Sequence, residues 1–506
     1  MKETAILIMI ATITSKILGF GREIVTSYFY GTGSMAAAYN VALTIPATVF
    51  AMIGVGISTG FIPMYSRIEK ESGIKSADRF TSNMTNFVLV ICTIIAIVCF
   101  IFTEYVVKIF AIALDGQTLQ YAIVLTRYTI VGVYFTALVY IFSGYLNLKG
   151  NFVVPALVGI PMNIVVIASI VLSSNGNVTI LGIGLFLSLV VQLLFLVPYV
   201  KKSGYKHRFL LDRHDTNLKE MVVVAVPVII GVSVNQINTI VDKNIASTIS
   251  YEAISVLSYS VKLSGFVQGI FVMSIATAMY PLISKMGAEK NIEGLKKSLN
   301  EAIISVSLLV IPASIGFMVF AEPIVRLLYG RGKMTEADVM AVASTLFFFA
   351  IGMIGYGLRE VISKAFYSIR DAKTPMLNAA FAVLINIILS ITLSRFMGIN
   401  GLALATSLAG IICTITLTIS LKKKIGSIGL KVVAISMVKI LVSSILMGIA
   451  SYASYIGLYN IVGDKLSLII AILVAGIVYF GVIYFMKIDE VNKLIEGIKS
   501  KISRKK

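Results

Sequence analysis

Long apolar runs alternate with short polar segments along nearly the whole of this 506-residue chain. An apolar helix of about 20 residues is long enough to cross the hydrocarbon core of a membrane. We count fourteen such runs, with the approximate bounds 5–28, 36–62, 84–103, 119–146, 153–174, 178–200, 221–247, 252–282, 300–320, 337–365, 375–396, 399–421, 431–456 and 465–486. Because a helix satisfies its own backbone hydrogen bonds in lipid, the pattern predicts an all-α polytopic membrane protein with fourteen transmembrane helices.

The composition agrees with this fold class and excludes several functions. The chain is 58% hydrophobic and only 13% charged, which is too little polar surface for a soluble protein of this size. The three cysteines, Cys92, Cys99 and Cys413, all fall in apolar runs, so we interpret them as core residues without a disulfide or metal role. The sequence carries no Walker A, HExxH or GxSxG motif, and we therefore predict that the protein is not an enzyme.

The net charge of +19 follows the topology of the chain and does not indicate a nucleic-acid partner. Lysine and arginine are concentrated in the polar segments 64–83, 201–220 and 284–299 and in the tail 487–506. The alternate loops are short or nearly uncharged, with the segment 321–336 as the exception. The positive-inside rule therefore predicts that both termini are cytoplasmic, and the basic tail is expected to lie against anionic membrane lipids.

The chain also repeats internally at an offset of 218 residues. The pairs in this register are Pro63 with Pro281, Ser66 with Ser284, Arg67 with Lys285, Glu104 with Glu322, Val107 with Val325, and Lys108 with Arg326. A weaker similarity at an offset of about 220 relates 147–155 to 368–375. Each repeat holds six spans, so we predict bundles at 1–202 and 203–425, two extra helices at 426–488, and a basic tail at 489–506.

Ionisable residues interrupt several of the predicted spans. An ionisable group facing lipid at the bilayer centre costs about 2.5–3.5 kcal/mol, so such residues are expected to face protein or a wet cavity. The residues concerned are Lys16, Arg22, Glu23, Arg127, Asp242, Lys243, Lys262, Arg359, Glu360 and Lys364. Basic residues outnumber acids and come from both repeats, which favours a cationic cavity for an anionic substrate such as a pyrophosphate.

Structural ion pairs between spans are the alternative explanation for these charges. Glu23 and Glu360 are the expected structural partners because basic residues lie near both in the sequence. Neighbouring residues point about 100° apart on a helix, so we expect that Arg22 and Glu23 do not simply neutralise each other. Lys262 has no acidic residue within one turn of its own helix, which favours the cavity interpretation for that position.

Polar uncharged residues are concentrated in the seventh span, where Asn235, Asn238 and Asp242 share one helix face. Hydrogen bonding between helices explains such a face, and so does a cation site, because hard cations bind carboxylate, amide and hydroxyl oxygens. The candidate sodium site consists of Asp242, Asn386, Ser390 and Thr406. We expect no cofactor other than this Na⁺.

Four stretches resemble the MurJ/MviN family: SKILGFGREIVTSYFYGTG (15–33), GISTGFIPMYSRIEKESG (56–73), QINTIVDKNIAS (236–247) and AFYSIRDAKTP (365–375). The resemblance extends in order over essentially the whole chain. This family belongs to the multidrug/oligosaccharidyl-lipid/polysaccharide exporter superfamily, and its members flip lipid II to the outer leaflet of the bacterial cytoplasmic membrane. The resemblance implies alternating access, a V-shaped pair of bundles, and a groove for the lipid tail formed by spans 13 and 14.

The resemblance also suggests roles for individual residues. The family's basic cavity residues fall on Lys16, Arg22 and Lys262, which would bind the diphosphate, and Arg127 and Arg359 are further candidates. The family often carries charge at span-2 positions where this chain has the uncharged residues Ala37, Phe50, Ala51 and Val55. Independently of the resemblance, the GFG segment of span 1 permits a bend, which predicts a hinge at Gly19 and Gly21.

These departures keep a second substrate open, namely another undecaprenyl-linked glycan such as a teichoic acid or polysaccharide unit. A cation-coupled drug antiporter is a third hypothesis, which the excess of lysine and arginine within the spans disfavours. A non-transporting scaffold would leave the cationic cavity without a purpose. We expect a monomer, because the two repeats already supply both halves of a transport path. We expect transport to be driven by the membrane potential or an ion gradient.

Overall fold

The computed structural model describes residues 2–488 and 490–492, so the predicted basic tail 489–506 lies almost wholly outside the described residues. The described part of the chain is helical. Its α-helices are α1 (Lys2–Tyr30), α2 (Ser34–Gly56), α3 (Ile62–Ile101), α4 (Thr103–Phe110), α5 (Gly116–Val131), α6 (Val133–Leu148), α7 (Val153–Leu157), α8 (Gly159–Leu172), α9 (Val178–Lys202), α10 (Thr216–Ile249), α11 (Tyr251–Ala288), α12 (Ile292–Val319), α13 (Ala321–Tyr329), α14 (Glu336–Ser368), α15 (Lys373–Met397), α16 (Ile399–Ile425), α17 (Leu430–Val462) and α18 (Asp464–Phe485). A π-helical turn, Ile57–Phe61, joins α2 to α3.

Within the described residues, eleven helices are long and apolar enough to cross a membrane, or twelve if the bent pair α5 and α6 forms one span. This number counts the stretch Ser34–Ile101, which contains α2 and α3, as one helix although it is 68 residues long. Its helix α3 is broken at Gly73, which has a φ of 79°. The chain is therefore the all-α polytopic membrane protein that its apolar runs predict.

The chain divides into two compact units. The first unit contains Met1–Ser258 together with Arg331–Thr335, and the second contains Tyr259–Gly330 and Glu336–Lys506. In the first unit α2 packs on α5 and α10, while α8 packs on α1 and α9. In the second, α16 packs on α14 and α15, and α12 packs on α14 and α17. These units are defined by contacts between residues, whereas the predicted boundary at 202/203 separates two sequence repeats. That boundary therefore stays a prediction.

Side chains from neighbouring helices compensate for prolines within the spans. A proline inside a helix lacks the amide N–H that would bond the carbonyl four residues earlier. In α2, Pro46 leaves the carbonyl oxygen of Ala42 without this donor, and the Thr129 hydroxyl of α5 donates to it at 3.1 Å. This bond fixes the contact between α2 and α5 at the point where the helix is weakest.

The 218-residue register reappears as matching local structure. The amides of Phe102 and Phe320 each donate to a carbonyl four residues earlier at 2.9 Å, and each phenylalanine precedes a short helix, α4 or α13. In both short helices an acidic residue of the first turn pairs with a basic residue of the last turn, with an N···O distance of 2.8 Å in each case. The paired residues are Glu104 with Lys108 in α4 and Glu322 with Arg326 in α13.

The weaker similarity at offset 220 also corresponds to a shared turn. The amide of Asn151 donates to Leu146 O at 2.9 Å, and the amide of Asp371 donates to Phe366 O at 3.0 Å. The residue before each has a left-handed conformation, with φ of 80° at Gly150 and 61° at Arg370. Each turn then leads into a helix, and the Asn151 and Asp371 side chains both accept a hydrogen bond from the amide three residues later.

Candidate substrate-binding and cation-binding residues

Arg22 and Glu23 form an ion pair, which corrects the expectation that adjacent residues on α1 would not neutralise each other. The Arg22 side chain donates to Glu23 Oε1 from Nη2 at 2.8 Å and from Nε at 3.2 Å. The Glu23 side chain is 3% exposed and that of Arg22 is 17% exposed. The expectation considered only where the side chains leave the helix, whereas the long arginine side chain can bend back to its neighbour.

Lys16 and the two predicted hinge glycines lie on the same helix as this ion pair. Lys16 is exposed, and α1 continues without a break through Gly19 and Gly21. A β-carbon on Gly19 would lie 3.6 Å from Asn163 Nδ2 of α8, an ordinary contact distance, and nothing lies within 4 Å of the corresponding position at Gly21. The hinge therefore remains a prediction, because the helix shows one straight-through conformation at both glycines.

Arg127 lies on an exposed part of the first unit. Its guanidinium carbon is 5.3 Å from the centroid of the Phe100 ring, a distance at which a cation–π interaction stabilises the pair. Both side chains are exposed within the first unit. An arginine of this kind can also snorkel to the membrane interface.

A buried lysine lies in the interior of the first unit. Lys243 of α10 is 9% exposed, and its ammonium group donates to the carbonyl oxygen of Asn40 in α2 at 2.8 Å. Lys243 is one of the ionisable residues within the predicted spans, and its sequence context predicts no role for it. The feature of the sequence that marks Lys243 is a positive charge within an apolar run. No residue spacing indicates that its partner is a backbone carbonyl.

The span-2 positions where the family often carries charge are uncharged here. Ala37 is fully buried and Phe50 is 7% exposed, while Ala51 and Val55 are partly buried. These side chains offer no charge to a headgroup.

The second unit holds the other predicted cations. Lys262 of α11 and Arg359 of α14 are both partly buried. Glu360 pairs with Lys364 at 3.1 Å, as their spacing predicts, and the Lys364 ammonium lies 5.4 Å from the Tyr280 ring centroid. Lys364 is thus held by an acid and an aromatic ring of its own unit.

Three of the four residues of the candidate sodium site form one hydrogen-bonded group in the second unit. Asn386 Nδ2 donates to Thr406 Oγ1 at 3.0 Å, and the Ser390 hydroxyl donates to Asn386 Oδ1 at 3.1 Å. Asn386 and Ser390 are buried. The group supplies amide and hydroxyl oxygens, and its mutual hydrogen bonds also suit a purely structural contact between α15 and α16.

Asp242, the fourth residue of that candidate site, belongs to the first unit. Its Oδ2 accepts a hydrogen bond of 3.0 Å from Asn238 Nδ2, one turn earlier on α10. Asn238 Oδ1 is buried and has no hydrogen-bond partner among the described residues. A carboxylate and an amide oxygen thus lie together, and both are oxygen ligands of the kind that hard cations prefer.

An apolar cavity of about 340 Å³ lies beside α17 in the second unit. Its walls come from α12, α14 and α17, with Ile311, Met318, Ile351, Met437 and Leu441 among the lining residues. Such a surface suits a hydrocarbon chain and offers little to a polar headgroup.

Comparison with known proteins identifies the family. A family model described as "Lipid II flippase MurJ" matches residues 26–480. The chain is 28% identical over 420 residues to a probable lipid II flippase MurJ of Vibrio cholerae, covering 80% of each protein. It is 26% identical over 504 residues to a probable lipid II flippase MurJ of Borreliella burgdorferi, covering 98% of each.

The solved structures agree. A structure described as "Lipid II flippase MurJ, inward closed conformation" has a TM-score of 0.82 and 28% identity, covering 94% of this chain and 98% of that one. An inward-facing multidrug resistance MATE family transporter of the MOP superfamily shares the fold, with a TM-score of 0.73 at 15% identity, covering 84% of this chain and 98% of that one. The chain therefore belongs to the MurJ family of lipid II flippases, multi-pass membrane transporters of peptidoglycan biosynthesis that are not enzymes.

Proposed function

We propose that this flippase carries lipid II from the inner to the outer leaflet of the bacterial cytoplasmic membrane by alternating access. The membrane potential or an ion gradient supplies the energy, and each charge moved across the field contributes about 2.3 kcal/mol per 100 mV. The protein works as a monomer, because its two repeats provide both halves of the path. Support comes from the family match over residues 26–480 and from the matching turns of the two repeats.

The proposed arrangement has fourteen spans with both termini in the cytoplasm. The helices accommodate this number if α2 and the second part of α3 are separate spans, α5 and α6 form one, and α1 is included. The short helices α4 and α13 then lie outside the spans, whereas α7 and α8 together form the span Val153–Leu172. Two six-span repeats form a V-shaped pair of bundles, and α17 and α18 are the additional helices that hold the lipid tail. The apolar cavity beside α17 supports this last role.

The diphosphate of lipid II binds Lys16, Arg22 and Lys262, with Arg127 and Arg359 as further contacts. The observation that carries this proposal is the Arg22 guanidinium, largely buried on a membrane helix and bonded through two nitrogens to a single carboxylate oxygen. Glu23 holds the group in place, and the remaining N–H donors of the guanidinium are available to phosphate oxygens. Gly19 and Gly21 allow α1 to bend between the two states.

A sodium ion bound by Asp242, Asn386, Ser390 and Thr406 would couple transport to an ion gradient. The grouping of Asn386, Ser390 and Thr406 and the oxygen pair at Asn238 and Asp242 support this part of the proposal. A coupling ion bound there predicts that flipping depends on Na⁺ in the medium. Equal flipping with choline in place of Na⁺ would remove sodium from the mechanism and leave the membrane potential as the energy source.

The deciding experiment measures lipid II in the outer leaflet of bacterial cells that are depleted of their own flippase. The intact chain should restore exposed lipid II, Lys262→Ala should lose most of it, and Lys262→Arg should retain it because the charge is kept. Lys285→Ala is the matched control, since Lys285 lies on the same helix with its side chain 66% exposed. Equal activity of Lys262→Ala and Lys285→Ala at equal protein levels would contradict the phosphate-binding role.

A further inference from the structure

The loop 203–215, between α9 and α10, presents one large apolar side chain to the surroundings. Phe209 is 96% exposed, and Leu211 two residues later is 42% exposed. The helices on both sides are long and apolar enough to cross a membrane, so the thirteen-residue loop begins and ends at the same membrane surface. The Phe209 ring is therefore available for contact with the surroundings of the protein.

Two asparagines on one face of α3 hold the loop in a defined shape. The Asn86 amide donates to Arg208 O at 3.0 Å and to Leu210 O at 2.8 Å, the two carbonyls on either side of Phe209. Asn83 Nδ2 donates to Asp212 O at 3.0 Å, and Asn83 Oδ1 accepts from the Asp212 amide at 2.8 Å. Because Asn83 is only 1% exposed, this clamp is built into the core of the unit.

Successive contacts among Tyr205, His207 and Phe209 support the exposed ring. The buried Tyr205 hydroxyl lies 3.1 Å from the Ser82 hydroxyl and 3.1 Å from His207 Nδ1. The His207 ring then meets the Phe209 ring edge to face, with centroids 5.1 Å apart. The protein thus holds the loop on both sides of Phe209 while leaving that ring itself uncovered.

The charges around the loop are mostly positive. Within 201–219 the basic residues are Lys201, Lys202, Lys206, Arg208, Arg213 and Lys219. The acidic residues of the same stretch are Asp212 and Asp215, and both are engaged locally, Asp212 with the His214 amide and Asp215 with the first turn of α10. The surface that surrounds Phe209 therefore attracts anions.

We propose that the loop 203–215 is a membrane-surface anchor in which Phe209 enters the interface of the inner leaflet while Lys206, Arg208 and Arg213 bind anionic phospholipid headgroups. An apolar ring flanked by basic side chains matches the chemistry of an anionic lipid surface, where the ring meets the acyl boundary and the charges meet the phosphates. This contact goes beyond transport itself, and its assignment to the inner leaflet rests on the proposed orientation. The anchor fixes α3 relative to the membrane surface through the Asn83 and Asn86 clamps.

The absence of tryptophan from the chain makes the test direct, because Phe209→Trp introduces a single reporter. The full-length variant is reconstituted in phosphatidylcholine vesicles with and without phosphatidylglycerol, and its emission is quenched either by lipids brominated in the acyl chains or by aqueous iodide. Glu293→Trp is the control, since the Glu293 side chain is 85% exposed at the start of α12. Restoration of exposed lipid II in depleted cells verifies that both variants fold.

We expect the tryptophan introduced at 209 to be quenched by brominated lipid and protected from iodide, and more so with phosphatidylglycerol, whereas the control shows the opposite preference. Replacing Lys206, Arg208 and Arg213 together by glutamine should abolish the dependence on phosphatidylglycerol. Iodide quenching equal to that of the control would overturn the anchor. Protection from both quenchers would overturn it, because the ring would then be covered by protein, either by the same chain or by a second copy. Bromine quenching that is the same with and without phosphatidylglycerol would overturn recognition of anionic lipid.

Discussion

The hydroxyl of Tyr479 in α18 donates a hydrogen bond of 2.7 Å to the carbonyl oxygen of Leu308 in α12. Leu308 lies four residues before Pro312, so this carbonyl has lost its usual amide donor within the helix. A side chain from a helix outside the predicted repeats therefore satisfies a backbone group inside them. In the first unit, the Thr129 hydroxyl likewise donates to the carbonyl oxygen of Ala42, which lies four residues before Pro46.

Tyr479→Phe should destabilise the protein by about 1–3 kcal/mol, because it leaves the Leu308 carbonyl buried without a donor while keeping the ring. The melting temperature of the purified protein in detergent measures the effect. Tyr484→Phe is the control, since Tyr484 lies on the same helix with 53% exposure and should change little. Equal melting temperatures for the two variants would show that the hydrogen bond is dispensable.

Glu23→Gln should be strongly destabilising, because it leaves the Arg22 guanidinium largely buried without its counter-charge. Breaking a buried ion pair from one side costs about 3–5 kcal/mol, whereas an exposed pair contributes little. Thermal unfolding of Glu23→Gln is compared with that of Glu104→Gln, which removes the exposed pair with Lys108. The prediction fails if the two changes lower the melting temperature alike.

The ion pair between Asp371 and Lys424 should make stability depend on pH in the acid range. Burial alone would raise the pKa of Asp371, but hydrogen bonds from Lys424 and Thr374 more than offset this and lower it from 3.8 to about 2. A depressed carboxyl pKa stabilises the folded state above the unfolded value, and this contribution is lost as pH falls towards the folded value.

Melting temperatures of the intact chain and of Asp371→Asn, measured from neutral pH down to about pH 2, test this linkage. The difference between the two should be largest above about pH 4 and should shrink at lower pH. Because all other carboxyl groups are common to both proteins, their titration cancels in the difference. A difference that is constant with pH would mean that the charge of Asp371 is not what stabilises this turn.

The paired turns at Gly150 and Arg370 predict opposite effects of reciprocal changes. Gly150→Ala should cost about 1 kcal/mol, because a residue with a β-carbon is strained at positive φ although no atom lies within 4 Å of the new carbon. Arg370→Gly should be stabilising by up to about 1 kcal/mol for the same reason. Melting temperatures that move in the same direction would contradict a shared strain.

Much of the fold could be predicted because lipid forces a simple pattern on the sequence. Helices that cross a membrane must be long and apolar, and the apolar runs therefore predicted an all-α polytopic membrane protein, which the structure confirms. The number of fourteen spans stays a prediction, since eleven of the described helices, or twelve with the bent pair, are long and apolar enough. The register of 218 correctly anticipated the local match between α4 and α13, since an ion pair four residues apart on one helix is set by sequence spacing alone.

The remaining contacts depend on which helices are neighbours, and uniformly apolar helices carry little information on this. Lys243 could be recognised as unusual, but nothing in the sequence pointed to the carbonyl of Asn40 as its acceptor. The bond from Tyr479 to Leu308 spans 171 residues and has no motif of its own. The expectation that Arg22 and Glu23 do not neutralise each other was wrong for a different reason. The long arginine side chain reaches Glu23 although the two residues leave the helix in different directions.

Helices α4 and α13 are two versions of one local structure within a single chain. Thr103–Phe110 and Ala321–Tyr329 start from backbone with nearly the same conformation, at Phe102 and Phe320, and they carry the same ion pair after divergence of most other side chains. The surroundings of the two segments differ, since Arg326 also binds Glu336 outside its own helix. Each segment is therefore an internal comparison for the other, in which the ion pair is kept while its environment changes.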